Sequence, residues 1–294
     1  MSPKRSTPET CSAPTADVIQ SRQAASCLAA TLLAVTATAC TTRSSAGTEA
    51  VRQPPPAGVF DYQLGGPYPP AGDVRIVDRD RTADPLKGIY NICYVNAFQT
   101  QPQDGRWWRV KHPNLLVRKQ GRPVQDPDWP GEYLLDTSTA AKRTALLEVV
   151  GGWFDGCARK GFDAVEPDNL DSWTRTGGAG VLTRSGNIAF ARLLVHRAHA
   201  DGLAIAQKNT PQLLTAGRSS IGFDFAVAEE CEVYGECGRY TSAYGKHVIE
   251  IEYTDNGRAA YARSCRARSG QLSIILRDRD VVPEGTAGYS YSAC

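Results

Sequence analysis

The chain has 294 residues, of which 41% are hydrophobic and 22% charged, and its net charge is only +2. That is the composition of a folded globular protein, long enough for one large domain or two small ones. No run of Lys and Arg offers the footprint that a nucleic-acid backbone requires, so nucleic acid is not expected as a partner.

The N-terminus reads as an export leader. Lys4, Arg5 and Arg22 precede an uncharged stretch, Ala24 to Ala39. A membrane-spanning helix needs roughly 20 strongly apolar residues, and this stretch is shorter and diluted by Thr and Ser. It ends in Ala37-Thr38-Ala39-Cys40, small residues before a cysteine as at a bacterial lipoprotein cleavage site, although Ala37 stands where Leu is usual. The reading preferred here is a leader over residues 1–39 and a lipid anchor on Cys40. The rival is an ordinary A-x-A cleavage site with Cys40 incidental. The region before Arg22 is long for a leader, and Val18 is one candidate for the true start.

Residues 40–58 are polar and Pro-rich without apolar periodicity, so they are expected to form a flexible tether with no part in a core. Both readings of Cys40 place the domain outside the cytoplasm, extracellular or at the cell surface. The only contact with a membrane is then through the lipid. Beyond the tether lie Cys93, Cys157, Cys231, Cys237, Cys265 and Cys294. An even number in an exported chain points to disulfides. Cys231 pairs with Cys237 by closeness. Cys93 pairs with Cys157 if its strand lies beside the helix ending near Lys160, and Cys265 is left for Cys294. Zinc is the rival reading, but no C-x₂-C pair or nearby His set supports it.

From Val59 to the C-terminus, short apolar runs recur, most ending in a charged or amide residue. They cover 59–64, 74–80, 89–96, 132–136, 162–169, 203–209, 223–230, 247–253 and 272–278. Amphipathic helical stretches, Thr139 to Lys160 and Asn187 to Ala200, lie between some of them, with Gly161 and Gly202 placed as helix-ending residues. Buried strands alternating with helices predict a (β/α)₈ TIM barrel over 59–294, of the α/β class. Nine runs exceed eight strands by one, so either the last run or Val74 to Asp80 is expected to be accessory. An open doubly wound sheet is the alternative, but the Gly-rich phosphate loop it usually carries is absent. Gly177 to Gly180 has no P-loop Lys after it and reads as a flexible loop.

A barrel of this kind forms its site at the C-terminal strand ends. Those ends supply Asp78, Asn96, Asp136, Glu166, Asp168, Asn169, Asp171, Lys208, Asn209, Glu229, Glu230 and Glu252, an acidic rim on a nearly neutral chain. Any one of these acids is more readily a cap or an ion-pair partner. As a set they suit glycoside hydrolysis, in which one carboxyl donates a proton and another acts as base or nucleophile. They also suit attraction of a cationic substrate. The densest stretch is GFDAVEPDNLDSW, Gly161 to Trp173, where Pro167 is expected to stop a strand ending in Glu166. Trp173 could stack on a sugar or equally pack against the next helix.

Seven segments in order, YQLGG (62–66), ICYVNAF (92–98), WPGEYLLD (129–136), VEPDNLD (165–171), AQKNT (206–210), FAVAEEC (225–231) and IEIEY (249–253), resemble the signatures of glycoside hydrolase family 114. That family comprises endo-α-1,4-polygalactosaminidases and relatives built on a (β/α)₈ barrel. The resemblance implies Asp168 and Glu229 as the catalytic pair. Glu166, Asn169, Asp171, Lys208, Asn209 and Glu252 become neighbours that bind substrate or set pKa values, with Glu230 replacing Glu229 if the register slips by one. Ala228, where Asn is frequent, and the Ala-Gln before Lys208-Asn209 depart from the commoner pattern, which bears on fine specificity.

Lys208 could instead be a Schiff-base lysine, but among so many carboxylates it is expected to stay charged, as a counter-ion or a hydroxyl ligand. His196 and His199, three apart on a helix, lack a third ligand and are expected at the surface. No metal and no cofactor are expected. The implied function is endo-hydrolysis of an α-1,4-linked galactosamine or N-acetylgalactosamine polysaccharide, the partner being that polymer. A same-fold glycosidase for another exopolysaccharide, or a carbohydrate-binding surface lipoprotein without catalysis, are the alternatives.

Overall fold

The computed structural model describes residues 51–175 and 180–294. The expected leader, Cys40, the first part of the tether and Gly177 to Ala179 of the glycine-rich loop lie outside the described residues.

Eight parallel strands follow one another around the sheet: β1 (Phe60–Gln63), β2 (Ile76–Asp80), β3 (Tyr90–Asn96), β4 (Ala164–Asp168), β5 (Ala204–Lys208), β6 (Phe225–Glu229), β7 (Val248–Tyr253) and β8 (Ser273–Arg277). β8 comes back beside β1 and brings the sheet round into a (β/α)₈ barrel. At that seam the Gly65 N–H bonds the Val281 carbonyl at 3.1 Å and Tyr291 Oη bonds the Phe60 carbonyl at 2.8 Å. Gly65 cannot carry a side chain, because a Cβ there would sit 2.5 Å from the Val281 oxygen.

The strands are buried on both faces, which is why they read as nearly continuous apolar runs. Phe60, Ile76, Tyr90, Ile92, Ala164, Ala204, Phe225, Ile249 and Ile275 fill the lower barrel interior. Val95, Val165, Ile205, Ala226, Val248 and Ile274 face outward into a second core with Leu146, Val150 and Phe154 of α2 (Ala140–Lys160) and Phe190 and Leu194 of α3 (Arg184–Ala200). The helices start where side chains can cap them: Thr139 Oγ1 accepts from Lys142 N and Thr183 Oγ1 from Gly186 N. Capped by Thr183, α3 starts at Arg184, three residues before the expected Asn187. Gly161, at φ 94°, ends α2 in the left-handed turn that glycine adopts without strain. No described helix is long and apolar enough to cross a membrane.

Two expectations about strands need correction. The runs 74–80 and 272–278 are both barrel strands, and the surplus run is 132–136. Residues 132–136 belong to the long β3–β4 excursion that also holds helix α1 (Gly105–Lys111). Isolated bridges tie that run to neighbouring loop segments (Gln99 to Leu134, Leu116 to Leu135, Gln125 to Tyr133), and Leu134 packs in a small separate cluster with Val117 and Leu182. An accessory strand does exist, but it is β9 (Tyr291–Ala293), antiparallel to β8 and too short and half-buried to stand out in the sequence.

The expected tether does not extend to Gly58. Residues 51–58 lie against the N-terminal end of the barrel: Val51 packs on the interior cluster, Pro54 is buried, and Tyr90 Oη donates to the Arg52 carbonyl at 2.6 Å. Arg52 also pairs with Asp163. Because β1–β2 and β2–β3 are joined by loops without helices, this segment helps cover that end. Disulfides link Cys93 on β3 to Cys157 on α2, Cys231 to Cys237, and Cys265 on α4 (Ala259–Arg268) to Cys294, the three pairs drawn from the sequence.

Candidate active site

Asp168, Lys208 and Glu229 are the last residues of three consecutive strands, β4, β5 and β6. Pro167 does not stop β4 at Glu166 as expected, because β4 pairs with β5 only as far as Val165 while its pairing with β3 continues to Asp168. Strand alternation turns residues two apart to the same face, so each continues an inward column: Ala164–Glu166–Asp168, Ala204–Ala206–Lys208 and Phe225–Val227–Glu229. Immediately after each tip the chain turns into the left-handed region, at Asn169 (φ 62°), Asn209 (φ 48°) and Glu230 (φ 58°). Asn tolerates that conformation better than most residues, whereas Glu230 adopts it at a cost. Such outliers gather at sites where the backbone must leave a strand abruptly.

The three side chains meet at the floor of a cavity of about 440 Å³ at the barrel mouth, within the range of about 300–1,000 Å³ usual for ligand sites. Lys208 Nζ lies 3.6 Å from Asp168 Oδ1 and 3.6 Å from Glu229 Oε1. Below, it bonds Glu166 Oε1 at 2.5 Å and Tyr62 Oη at 2.9 Å. Burial draws the ammonium's pKa down, but Asp168, Glu166 and Glu229 outweigh it and hold Lys208 well above the ordinary lysine value. A charged lysine is no amine nucleophile, and these four contacts fit a counter-ion rather than a Schiff-base lysine.

Each carboxylate is fixed by a tyrosine. Tyr94 Oη donates to Asp168 Oδ2 at 2.8 Å, and Asp168 Oδ1 accepts the Asn169 N–H at 2.7 Å. Tyr253 Oη donates to Glu229 Oε1 at 2.5 Å, and Asn209 Nδ2 donates to Oε2 at 2.8 Å. Burial and the adjacent carboxylate push both phenols well above their ordinary range, so both remain donors. Glu132, from the β3–β4 excursion, lines the same cavity and accepts from Asn96 Nδ2 at 2.9 Å. Burial raises its pKa to about 8 despite that hydrogen bond, and Asp168 and Asp126 add to the rise.

Residues 41–294 fit the model of the family described as Glycoside-hydrolase family GH114. The chain belongs to that family, and it is a glycoside hydrolase. Among solved structures, Ega3 of Aspergillus fumigatus, in complex with galactosamine, is 23% identical, with a TM-score of 0.65 over 84% of this chain and 99% of that one. The glycoside hydrolase domain of PelA from Pseudomonas aeruginosa is 15% identical, with a TM-score of 0.56 over 78% of this chain and 97% of that one. Both share the fold. No curated protein sequence matches the chain.

Around the GH114 cavity the structure brings together Asp168, Asn169, Asp171, Lys208, Asn209 and Glu229. Two expected substrate ligands lie elsewhere. Glu166 is fully buried beneath Lys208, where it can hold the ammonium but cannot reach a substrate. Glu252 faces out of the barrel and accepts the Glu232 N–H at 2.9 Å behind β7. The residue that enters the cavity from β7 is Tyr253, one position on. Glu230 is not the second carboxylate either, since Arg279 at 2.6 Å and Asn256 hold it at the rim. Trp173 packs against core residues, and the half-exposed aromatic of the cavity is Trp129. Asp136 pairs with Lys142 near the start of α2. His196 and His199 are exposed, with His199 bonded to Asp224.

The sequence reading missed Tyr62, Tyr94, Tyr253 and Glu132. The tyrosines were accessible through parity, since each sits two positions from another inward residue. Glu132 carried no strand-end signal, because its segment is not a barrel strand.

The outward placement of Glu252 has a measurable consequence. Burial raises its pKa from an ordinary 4.5 to about 7, so between those values the folded chain binds the proton more tightly than the unfolded one. Its contribution therefore destabilises the fold as pH rises through that window. Glu252→Gln is expected to melt higher than wild type at pH 8, with the gap closing toward pH 5, while turnover stays near normal. A large loss of turnover would return Glu252 to the site.

Proposed function

We propose that this GH114 protein is an endo-acting hydrolase of α-1,4-linked galactosamine or N-acetylgalactosamine polymer, with Asp168 and Glu229 as its catalytic pair. The observation that carries the assignment is the approach of both carboxylates, from different strands, to one ammonium at the cavity floor. Both remain partly accessible from the cavity, at 19% and 24% side-chain exposure. In the reaction one carboxyl gives a proton to the glycosidic oxygen as the bond from C1 to that oxygen breaks. The other attacks C1 or takes a proton from the water that does so. Water supplies the new C1 oxygen and the proton that restores the donor. Two contacts of 3.6 Å to one nitrogen limit the separation of those two oxygens to twice that distance, which accommodates either the retaining spacing of about 5–5.5 Å or an inverting one from about 6.5 Å.

The galactosamine in the Ega3 complex supports an amino-sugar substrate, and so does the charge pattern of the cavity. Arg175 is engaged by Asp126 and Asp171, and Arg279 by Glu230 and Asp255. Among the described residues no cation pairs with Glu132. A sugar ammonium beside it would supply one and draw the raised pKa of its carboxyl back down. Three disulfides fit an exported chain, and the sequence around Cys40 supports a lipid anchor at the cell surface.

Three outcomes are expected. Asp168→Asn and Glu229→Gln, which keep shape and remove ionisation, each lower reducing-end release by about 10²–10⁴ or more with the fold intact. Near-normal turnover in either overturns the pair. Glu132→Gln raises KM for the amine-bearing polymer, by about tenfold, and leaves the fully acetylated polymer unaffected. The wild-type preference for the amine form also weakens with salt, because exposed charge attraction is screened; equal effects on both polymers would remove Glu132 from recognition. Finally, Cys40→Ala frees the protein from membranes without altering its melting temperature. Wild-type protein recovered soluble and unacylated would leave plain secretion.

A further inference from the structure

Beneath the cavity lies an acid that the mechanism does not use. Asp78 sits in the middle of β2, in register with Tyr62 on β1 and Ile92 on β3, and is fully buried. No hydrogen-bond donor reaches either of its oxygens. What faces it is another carboxyl, Glu166, whose Oε2 is also buried and without a donor. Two acceptors in contact, sealed from water, bond only if one of them carries a proton. Glu166 Oε1 is already committed to Lys208 Nζ at 2.5 Å and to Tyr62 Oη at 2.9 Å. The proton therefore belongs to the partner with no cation in contact.

We infer that Asp78 is un-ionised at neutral pH, donates its proton to Glu166 Oε2, and so orients Glu166 as the counter-ion that holds Lys208 between Asp168 and Glu229. Asp78 is thus a positioning residue of the reaction, an inference that rests on Asp168 and Glu229 being the catalytic pair. Electrostatics agree with the geometry. Burial, then the charge and hydrogen bond of Glu166, then Asp168 push the Asp78 carboxyl well above its ordinary value, and only Lys208 opposes them. The other titratable group in this layer is Tyr62, itself pushed well up by burial and by Glu166, and so a neutral phenol. With Asp78 neutral, the buried charges of Glu166 and Lys208 balance. A second negative charge at Asp78 would draw the ammonium down and away from the two carboxylates it approaches at 3.6 Å.

Asp78→Val and Asp78→Asn test this, since the amide can donate to Glu166 in place of the acid and valine cannot. Asp78→Val is expected to lower kcat by about tenfold or more with KM little changed, and to shift the acidic limb of the pH profile of kcat/KM. Asp78→Asn is expected to recover most of the lost turnover and to return that limb toward its wild-type position. Infrared difference spectra between wild type and Asp78→Asn at neutral pH should show the carbonyl stretch of an un-ionised carboxylic acid, present only in wild type. That readout needs no turnover, so it stands even if the valine variant fails to fold or the catalytic pair is assigned wrongly. Absence of the band, an asparagine variant as impaired as the valine variant, or a valine variant with the wild-type pH profile overturns the inference.

Discussion

An ammonium with almost no access to water organises the active end of this barrel. Removing a lysine charge from water costs several kcal/mol, and in Lys208 that cost is offset by Glu166 below and by Asp168 and Glu229 above. The dependence runs both ways. Three carboxyl groups converging on one spot at the end of a closed sheet would repel one another, and their convergence is tolerable because the lysine lies among them. A methyl-terminated side chain at this position would leave the Glu166 charge buried and unpaired, the costlier way to break such a pair.

The scaffold around this centre is asymmetric for a physical reason. The first two strand-to-strand connections have no helices, while the β3–β4 connection is long and carries Trp129 and Glu132 to one side of the cavity. The segment after β8 supplies Arg279, Asp280 and Val281 to the other side. Val281 also closes the seam to Gly65, so the loop that walls the cavity is the loop that joins the ends of the sheet. Access to the two carboxylates and closure of the barrel are therefore linked through the same few residues.

The barrel and its acidic strand tips could be read from the sequence because burial on two faces leaves continuous apolar runs, and because β4, β5 and β6 stop directly at their polar residues. Segment 132–136 misled for the same reason: Tyr133, Leu134 and Leu135 are as buried as barrel residues but lie in the β3–β4 excursion, Tyr133 and Leu135 packing on the outer core and Leu134 in a small cluster of its own. In IEIEY the period of two was plain, yet the period does not say which face is inside. Outward faces of such strands are usually apolar against helices, and here that face holds Glu250 and Glu252, both buried. The acids therefore looked inward-facing when the isoleucines and Tyr253 were. Asp78 and Glu166 could not be told from rim carboxylates, because strand-end patterns carry no information about depth along the barrel axis.

The misplaced glutamates still bear on the site, from behind. The three residues following Glu229 are restrained. Glu230 is held by Arg279, Cys231 by its disulfide to Cys237, and Glu232 by Arg263 and Arg268 through its side chain and by Glu252 through its N–H. Without such restraints, the left-handed conformation of Glu230 would relax at little cost and the tip of β6 would move with it. Glu250 completes the group, its carboxylate 3.6 Å from Arg268 and beside the oxidised sulfurs of Cys231 and Cys237, which offer no thiolate to a metal. The polar layer outside β7 thus does for the Glu229 strand tip what Tyr253 and Asn209 do for its side chain. One layer fixes the backbone and the other fixes the carboxylate, and a proton donor or base with a defined position needs both.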